Sequence, residues 1–278
     1  DLRSAKKFIF LEFYIIEEGL MWNSILDILL EKVKEGVEVK LLYDDIGCMA
    51  TLKGNYTKRL RKLGIDAHKF NKVVPRLTVA YNTRDHRKIL VIDGQIGYTG
   101  GVNLADEYIN QRERFGHWKD SAVRLDGRAV KALTRLFLMN WYINQGEIED
   151  FDKYHMENQA VDGEGFYIPF GSGPKPIYKS QVGKAVYQNI INQATDYVYI
   201  TTPYLIIDYD LTEDIRNAAL RGVDVRIVTP SIPDKKLIQI VTRGAYPDLM
   251  EAGVKIYEYT PGFIHSKQVL ADDEVAVV

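Results

Sequence analysis

His86, Lys88 and Asp93 repeat, at identical spacing, as His265, Lys267 and Asp272. One such match would carry a real false-positive risk, but two matches among five histidines are hard to assign to chance. Residues two apart in a strand project from the same face, so the spacing sets each imidazole beside an ammonium. An imidazole can accept a proton, donate one or attack phosphorus, and a lysine ammonium can hold non-bridging oxygens as charge develops on them. Paired histidines with paired lysines therefore suit chemistry on a phosphate diester.

The elements that must position these residues also occur twice. The run from Phe8 to Tyr14 is β-branched and aromatic, as is the run from Tyr197 to Tyr204, and each reads as a buried strand. Helical spacing follows in both halves, through Ile25, Leu29 and Val33 and then through Ile215, Ala218 and Ala219. Gly36 and Gly222 end those helices ahead of new strands, and Gly64-Ile65 and Gly253-Val254 repeat the device. Strand, helix, strand, helix, strand and motif hairpin make an α/β unit present twice, with the first lobe expected over 1–165 and the second over 166–278. Gly127 to Gly146 reads as a helix with Val130, Leu133, Phe137 and Trp141 as its core stripe, and the breaker-rich stretch from Asn158 to Pro176 marks the boundary.

Ile89 to Ile92 continues the first motif as an apolar strand, and Asp93-Gly94 is a strong hairpin-turn signal. A two-residue turn sets Ile92 opposite Gln95, Lys88 opposite Thr99 and His86 opposite Gly101. His86, Lys88, Thr99, Gly101 and Asn103 then share one patch, with Thr99, Gly101 and Asn103 placed to bind phosphate. Asn103 can equally cap a helix from Leu104 to Ile109. Asp93 and Asp272 complete the two catalytic sets, although strand alternation sends Asp93 to the face opposite His86 and a turn aspartate is ordinary hairpin chemistry. Glu12, in an apolar strand, is either a site carboxylate or a strand-end residue reaching solvent. His68, His117 and His155 lack partners at motif spacing and read as surface residues, and Cys48 reads as a packed thiol.

Composition narrows the partners. The chain has 278 residues, 46% hydrophobic and 27% charged, with a formal charge of -2 and a pI near 6.3. That balance lacks the basic field of a nucleic-acid binder, so no nucleic acid is expected as partner. No apolar run approaches the ~18 residues that cross a bilayer. A metal is disfavoured at the two motifs because a protonated lysine cannot ligate and repels a cation, and no cofactor is expected.

The stretches His86-Arg87-Lys88 to Asp93 and Gly100-Gly101-Val102-Asn103 resemble the signature of the phospholipase D superfamily, whose members assemble one active site from two such motifs. Asp85 to Gly94, Asp106-Glu107-Tyr108, Trp118-Lys119-Asp120 and Gly262 to Lys267 resemble the bacterial cardiolipin synthases in particular, and the likeness covers nearly the whole chain. The resemblance implies a phospholipase D fold, α/β, of two similar lobes with mixed central sheets related by pseudo-two-fold symmetry. It implies phosphatidyl transfer between two phosphatidylglycerol molecules at the bacterial cell membrane, with the catalytic domain on the cytoplasmic side. One histidine attacks phosphorus to form a phosphohistidine while the other serves the departing and incoming alcohols. His86 is taken as the nucleophile and His265 as the general acid/base, with Lys88 and Lys267 on the phosphate oxygens. Asp120 is expected to accept from His86 and fix its tautomer. Cardiolipin synthases usually begin with hydrophobic membrane segments, which this sequence lacks, and the glycine-rich step after the second motif would fall one position beyond Val278. An internal fragment of a longer enzyme is expected. Hydrolytic phospholipase D and a superfamily nuclease or phosphodiesterase are the rival activities.

Overall fold

A computed structural model describes residues 1–73, 83–146, 150–154, 161, 163–173 and 178–278. The chain divides into two compact units, one of residues 1–111 with 122–171 and the other of residues 112–121 with 172–278. Chain order assigns Arg112–Ser121 to the first lobe, but the structure packs this segment with the second unit.

In the first unit, β1 (Phe8–Phe13), β2 (Glu38–Asp44) and β3 (Asp66–Phe70) run parallel, with α1 (Leu20–Lys34) and α2 (Tyr56–Lys62) as the crossings. β4 (Ile89–Ile92), β5 (Ile96–Gly100) and β6 (Ala122–Asp126) extend the other side antiparallel, in the order β3-β2-β1-β4-β5-β6. All of β1 is buried, as a central strand covered on both faces must be. Ile9, Leu11 and Phe13 pack with Trp22 and Leu29 of α1 on one face. On the other, Phe8 and Phe10 meet Val130, Leu133, Phe137 and Trp141 of α3 (Val130–Gln145), the stripe expected of that helix.

The second unit repeats the plan. Its elements are α4 (Val182–Gln193), β7 (Tyr197–Thr201), α5 (Tyr209–Leu220), β8 (Asp224–Pro230), α6 (Lys236–Gly244), α7 (Tyr246–Glu251), β9 (Lys255–Tyr259), β10 (Gln268–Ala271) and β11 (Val275–Val277). The sheet order β11-β10-β7-β8-β9 matches β5-β4-β1-β2-β3 of the first unit, with the same mixture of parallel and antiparallel neighbours. Gly36, Gly64, Gly222 and Gly253 all take positive φ at the turns into β2, β3, β8 and β9, a conformation that costs glycine nothing. The described part of the stretch from Asn158 to Pro176 contains no helix or strand. No helix among the described residues is long and apolar enough to cross a membrane.

The first motif hairpin departs from its expected register. Asp93 and Gly94 are both left-handed and the Gln95 N–H donates to the Ile92 carbonyl, as in a two-residue turn, yet the ladder pairs Ile92 with Ile96. Gln95 is an extra residue, held instead by Asp126 through its amide (2.6 Å) and by the Gly127 N–H on its carbonyl (2.8 Å). This one-residue shift pairs Thr99 with Ile89, so Thr99 lies on the sheet face away from Lys88 and is withdrawn from the phosphate-binding set.

Candidate active site

In the first unit the motif strand runs antiparallel to β1, with Ile89 opposite Glu12, so Lys88 falls at the carboxyl end of β1 and His86 beyond it. Open α/β sheets place ligands at that end. Tyr14, just past β1, stacks on the His86 imidazole at 3.9 Å between centroids and 17° between planes. Its phenol is held in the protonated form, since burial and then the charge of Asp44 raise its pKa. Lys88 is buried, donates to the carbonyl of His86, and carries its ammonium 5.5 Å from the Tyr14 ring centre. The exposed imidazole is thus backed by an aromatic plane, with a buried cation fixed to its own backbone.

Beneath this pair lies a fully buried polar layer. Asp44, at the end of β2, accepts from the backbone N–H groups of Ile46, Gly47 and Asp85 and from the Arg84 guanidinium, which ties down the approach to His86. Asn140 of α3 donates to Asp85 Oδ2 at 2.9 Å and to Glu12 Oε1 at 3.2 Å. Glu12 is completely buried, with the Arg87 guanidinium 3.6 Å away. Burial, then the charge of Asp85, raises the Glu12 carboxyl well above its usual range, with Arg87 and Asn140 pulling the other way. The solvent-reaching reading of Glu12 is corrected: in a strand covered on both faces its side chain has no route to water.

Asn103 is buried, accepts from the Ile15 N–H at 3.0 Å and donates to the Tyr108 hydroxyl at 2.7 Å. It does not cap a helix. The turn that follows is a short 3-10 segment, Asp106–Ile109, and Asp106 instead accepts from the Leu20 and Met21 N–H groups at the start of α1. Gly101 is buried beyond the end of β5.

The motif aspartates have an architectural task. Asp93 accepts from the N–H groups of Lys6, Lys7 and Phe8 at 2.7–2.8 Å, which fixes the start of β1. Asp272 does the same at the start of β7, accepting from Thr195, Asp196 and Tyr197 at 2.8–3.1 Å, and those bonds hold its carboxyl below the usual range. Both lie at the opposite end of the central strand from the histidines, so their inclusion in the catalytic sets is corrected to strand positioning.

In the second unit, Gly116–Ser121 runs parallel to Gly262–His265. His117 and Lys119 donate to the carbonyls of Pro261 and Phe263, and His265 donates to that of Lys119 at 2.7 Å. The pairing brings Asp120 Oδ2 to 2.7 Å from His265 Nδ1. Asp120 serves His265, where the sequence pointed to His86. Burial alone would raise the Asp120 carboxyl, but the hydrogen bond and charge of His265, with Lys267 and the Ser121 N–H, outweigh it and hold the group below the carboxylate range. Trp118 and Phe263 pack together beside the imidazole, and Lys267 donates to the carbonyl of His265, as Lys88 does to that of His86.

Tyr14, Asp44 and Asn140 carry no motif signal of their own in the sequence, and Asp85 carries one only as the first residue of the stretch that resembles the cardiolipin synthases. Asn140 occupies a helix position that periodicity assigns to packing, and only contact across the fold shows its role. The unassigned histidines are held locally: His68 bonds Asp66 at 2.8 Å and lies edge-on to Trp141, and His117 bonds the Tyr259 hydroxyl at 2.8 Å. His155 lies outside the described residues. Cys48 is buried, its thiol pushed up to about 12 by burial.

Comparison with known proteins identifies the family. Residues 1–141 and 187–278 match the family model described as cardiolipin synthase, phospholipase D-like domain. The chain belongs to that family. A protein of Streptococcus mutans serotype c, described as uncharacterized, is 51% identical over all of this chain and 60% of its own length. The cardiolipin synthases of Alkalihalophilus pseudofirmus and Geobacillus sp. (strain WCH70) are each 39% identical over the whole chain and 55% of their own lengths. The chain thus spans a little over half the length of the curated relatives it matches. Among solved structures, the phosphatidylserine synthase of Haemophilus influenzae Rd KW20 shares the fold, with a TM-score of 0.65 at 16% identity over 98% of this chain and 72% of that one. The fold is that of phospholipase D, with two mixed α/β sheets.

Proposed function

We propose that this chain is the catalytic part of a cardiolipin synthase, transferring a phosphatidyl group between two phosphatidylglycerol molecules to give cardiolipin and glycerol. The observation that carries the reading is the duplicated site geometry: in each unit a motif histidine lies past the carboxyl end of the central strand, with the motif lysine fixed to its carbonyl. Family membership selects the phosphatidyl group from among the phosphodiesters that such a pair could serve.

In this mechanism His86 attacks phosphorus and displaces glycerol, forming a phosphohistidine. His265 gives a proton to the departing alcohol and then takes one from the hydroxyl of the second phosphatidylglycerol, whose oxygen displaces His86. Two displacements retain configuration at phosphorus. The Asp120 carboxylate holds Nδ1–H of His265 and leaves Nε2 for the proton work, as orienting carboxylates do. Lys88 and Lys267 hold the phosphate oxygens, with Gly101 leaving room for them against the backbone and Asn103 fixing the turn beside them. The reaction belongs at the surface of the cell membrane, on its cytoplasmic side, where the anionic lipid is both donor and acceptor.

Product analysis of the enzyme carrying this chain in phosphatidylglycerol mixed micelles tests the reading. Cardiolipin with an equal amount of glycerol is expected. Phosphatidic acid as the main product would replace it with a hydrolytic phospholipase D, and cleavage of DNA without lipid turnover would replace it with a nuclease.

A further inference from the structure

The surface of α6 runs against the usual pattern for a helix at the edge of a fold. Such a helix turns its apolar stripe to the core and its polar face to water. In α6 the inward side carries Thr242 and Gln239 beside a half-buried Ile238. Thr242 is buried and its hydroxyl accepts from the Leu205 N–H at 3.1 Å, while the Gln239 amide donates to the Ser231 carbonyl at 2.9 Å. The outward residues are Leu237, Ile240 and Val241, at helical spacing i, i+3 and i+4, and they are 77%, 68% and 53% exposed. Ile232 before the helix and Ile206, next to the residue that Thr242 holds, add exposed apolar surface. Lys235 and Lys236 stand exposed at the start of the stripe.

We propose that α6 is a lipid-docking element, laying Leu237, Ile240 and Val241 into the acyl boundary of an anionic phospholipid surface while Lys235 and Lys236 meet the headgroup phosphates. Three features select this occupant. An apolar stripe beside lysines is the composition of interfacial helices. From Lys235 to Gly244 the sequence carries no acidic residue, so a second copy of this face offers Lys235 and Lys236 no counter-charge, which disfavours that occupant. The helix also stands at the working end of its sheet: it follows the carboxyl end of β8, and Thr242 grips the chain just past β7, the end at which His265 and Lys267 lie. A lipid surface gripped there delivers headgroups to the half-site without lifting them from the bilayer. The proposal deepens the functional reading above and rests on it for the identity of the lipid, but docking itself is measured without turnover.

Cosedimentation of the chain with vesicles of phosphatidylcholine and phosphatidylglycerol, and with phosphatidylcholine alone, reads it directly. Binding is expected only to the anionic vesicles and is expected to fall as salt is added. The triple variant Leu237→Ser/Ile240→Ser/Val241→Ser should bind at least ~10-fold more weakly, from the apolar area it withholds. Lys235→Ala and Lys236→Ala should each weaken binding ~5-fold at low ionic strength. Circular dichroism of each variant should match the parent, since these side chains face outward. As a check independent of loss of function, the emission gained by Ile240→Trp over the parent should blue-shift on addition of anionic vesicles and be quenched by brominated acyl chains. Parent-like vesicle binding by a folded triple variant, or an unshifted emission from Ile240→Trp, overturns the proposal. A parent that is dimeric and becomes monomeric on the triple substitution, with vesicle binding unchanged, assigns the stripe to self-association instead. Vesicle binding through α6 by the enzyme carrying this chain, without cardiolipin formation, would refute the functional reading and leave the docking element standing.

Discussion

Asp120 Oδ2 stands 2.7 Å from Nδ1 of His265, although 145 residues separate the two in sequence. The contact exists because a strand-like segment before β6 pairs with the residues leading into the second motif. A carboxylate so placed fixes the tautomer and stabilises the imidazolium that forms during proton transfer. Asp120→Asn should preserve the packing but lower kcat by about 100- to 10,000-fold, the contribution general acid–base catalysis makes, with neutralisation of an orienting carboxylate at the upper end. Turnover with a melting curve on the same sample checks this, and near-parent kcat in a folded variant would remove Asp120 from the mechanism.

The proposed mechanism gives the two histidines separate jobs in one reaction sequence. His86→Ala and His265→Ala should each reduce turnover by about three orders of magnitude or more, and the double variant should be little worse than either single one, because groups acting as a unit are not additive. Independent, multiplicative losses would mean that the two pairs catalyse separate reactions. Trapping labelled phosphatidyl enzyme by acid quench should succeed in His265→Ala and fail in His86→Ala. The reverse pattern would exchange their roles.

Asp93 anchors three backbone N–H groups at the far end of β1 from the chemistry. Asp93→Ala is therefore expected to destabilise the fold by about 2 kcal/mol, from unsatisfied donors at a partly buried strand start, while folded molecules keep most of their kcat. Denaturant titration and active-site-normalised turnover separate the two effects. A dead enzyme of unchanged stability would restore Asp93 to the catalytic set.

Much of this was legible because it is local or periodic. The buried strands announce themselves by β-branched and aromatic runs, the helices by their stripes, and the turns into β2, β3, β8 and β9 by glycines that take positive φ. The His–Lys pairs were legible because a duplicated short spacing is rare. What escaped depends on contacts between distant segments or on a single-residue choice. Gln95 leaves the ladder for Asp126 and Gly127, which moves Thr99 to the other face. Asp120 finds His265 through a pairing that no periodicity encodes, and Asn140 sits in a helix whose pattern speaks only of packing. Glu12 was ambiguous because one carboxylate in an apolar run looks the same whether it meets solvent or a buried partner.

In the proposed mechanism Lys88 and Lys267 supply the positive charge for which many phosphoryl-transfer enzymes use magnesium. Chelator should leave turnover of the enzyme largely unchanged, whereas Lys88→Ala should be severely impaired and not rescued by added magnesium. Loss of activity in chelator, restored by one metal at low concentration, would show that the ammonium groups do not carry the charge stabilisation alone.

Glu12 gives a prediction about stability and pH. Its carboxyl is raised well above the ordinary value of 4.5, first by burial and then by Asp85, so the folded state holds a proton that the unfolded chain releases. For a group shifted in that direction, stability is greatest below pH 4.5 and declines as pH rises toward the folded-state value, because the unfolded chain gains by ionising. Glu12→Gln keeps the shape and the neutral charge of the folded form and removes that penalty. The variant should melt with the parent in acid and above it at about pH 8, where the parent has lost the most. A variant less stable than the parent at both pH values would mean that ionised Glu12, paired with Arg87, is the native form, and that the buried layer under His86 is built around a salt bridge rather than a shared proton.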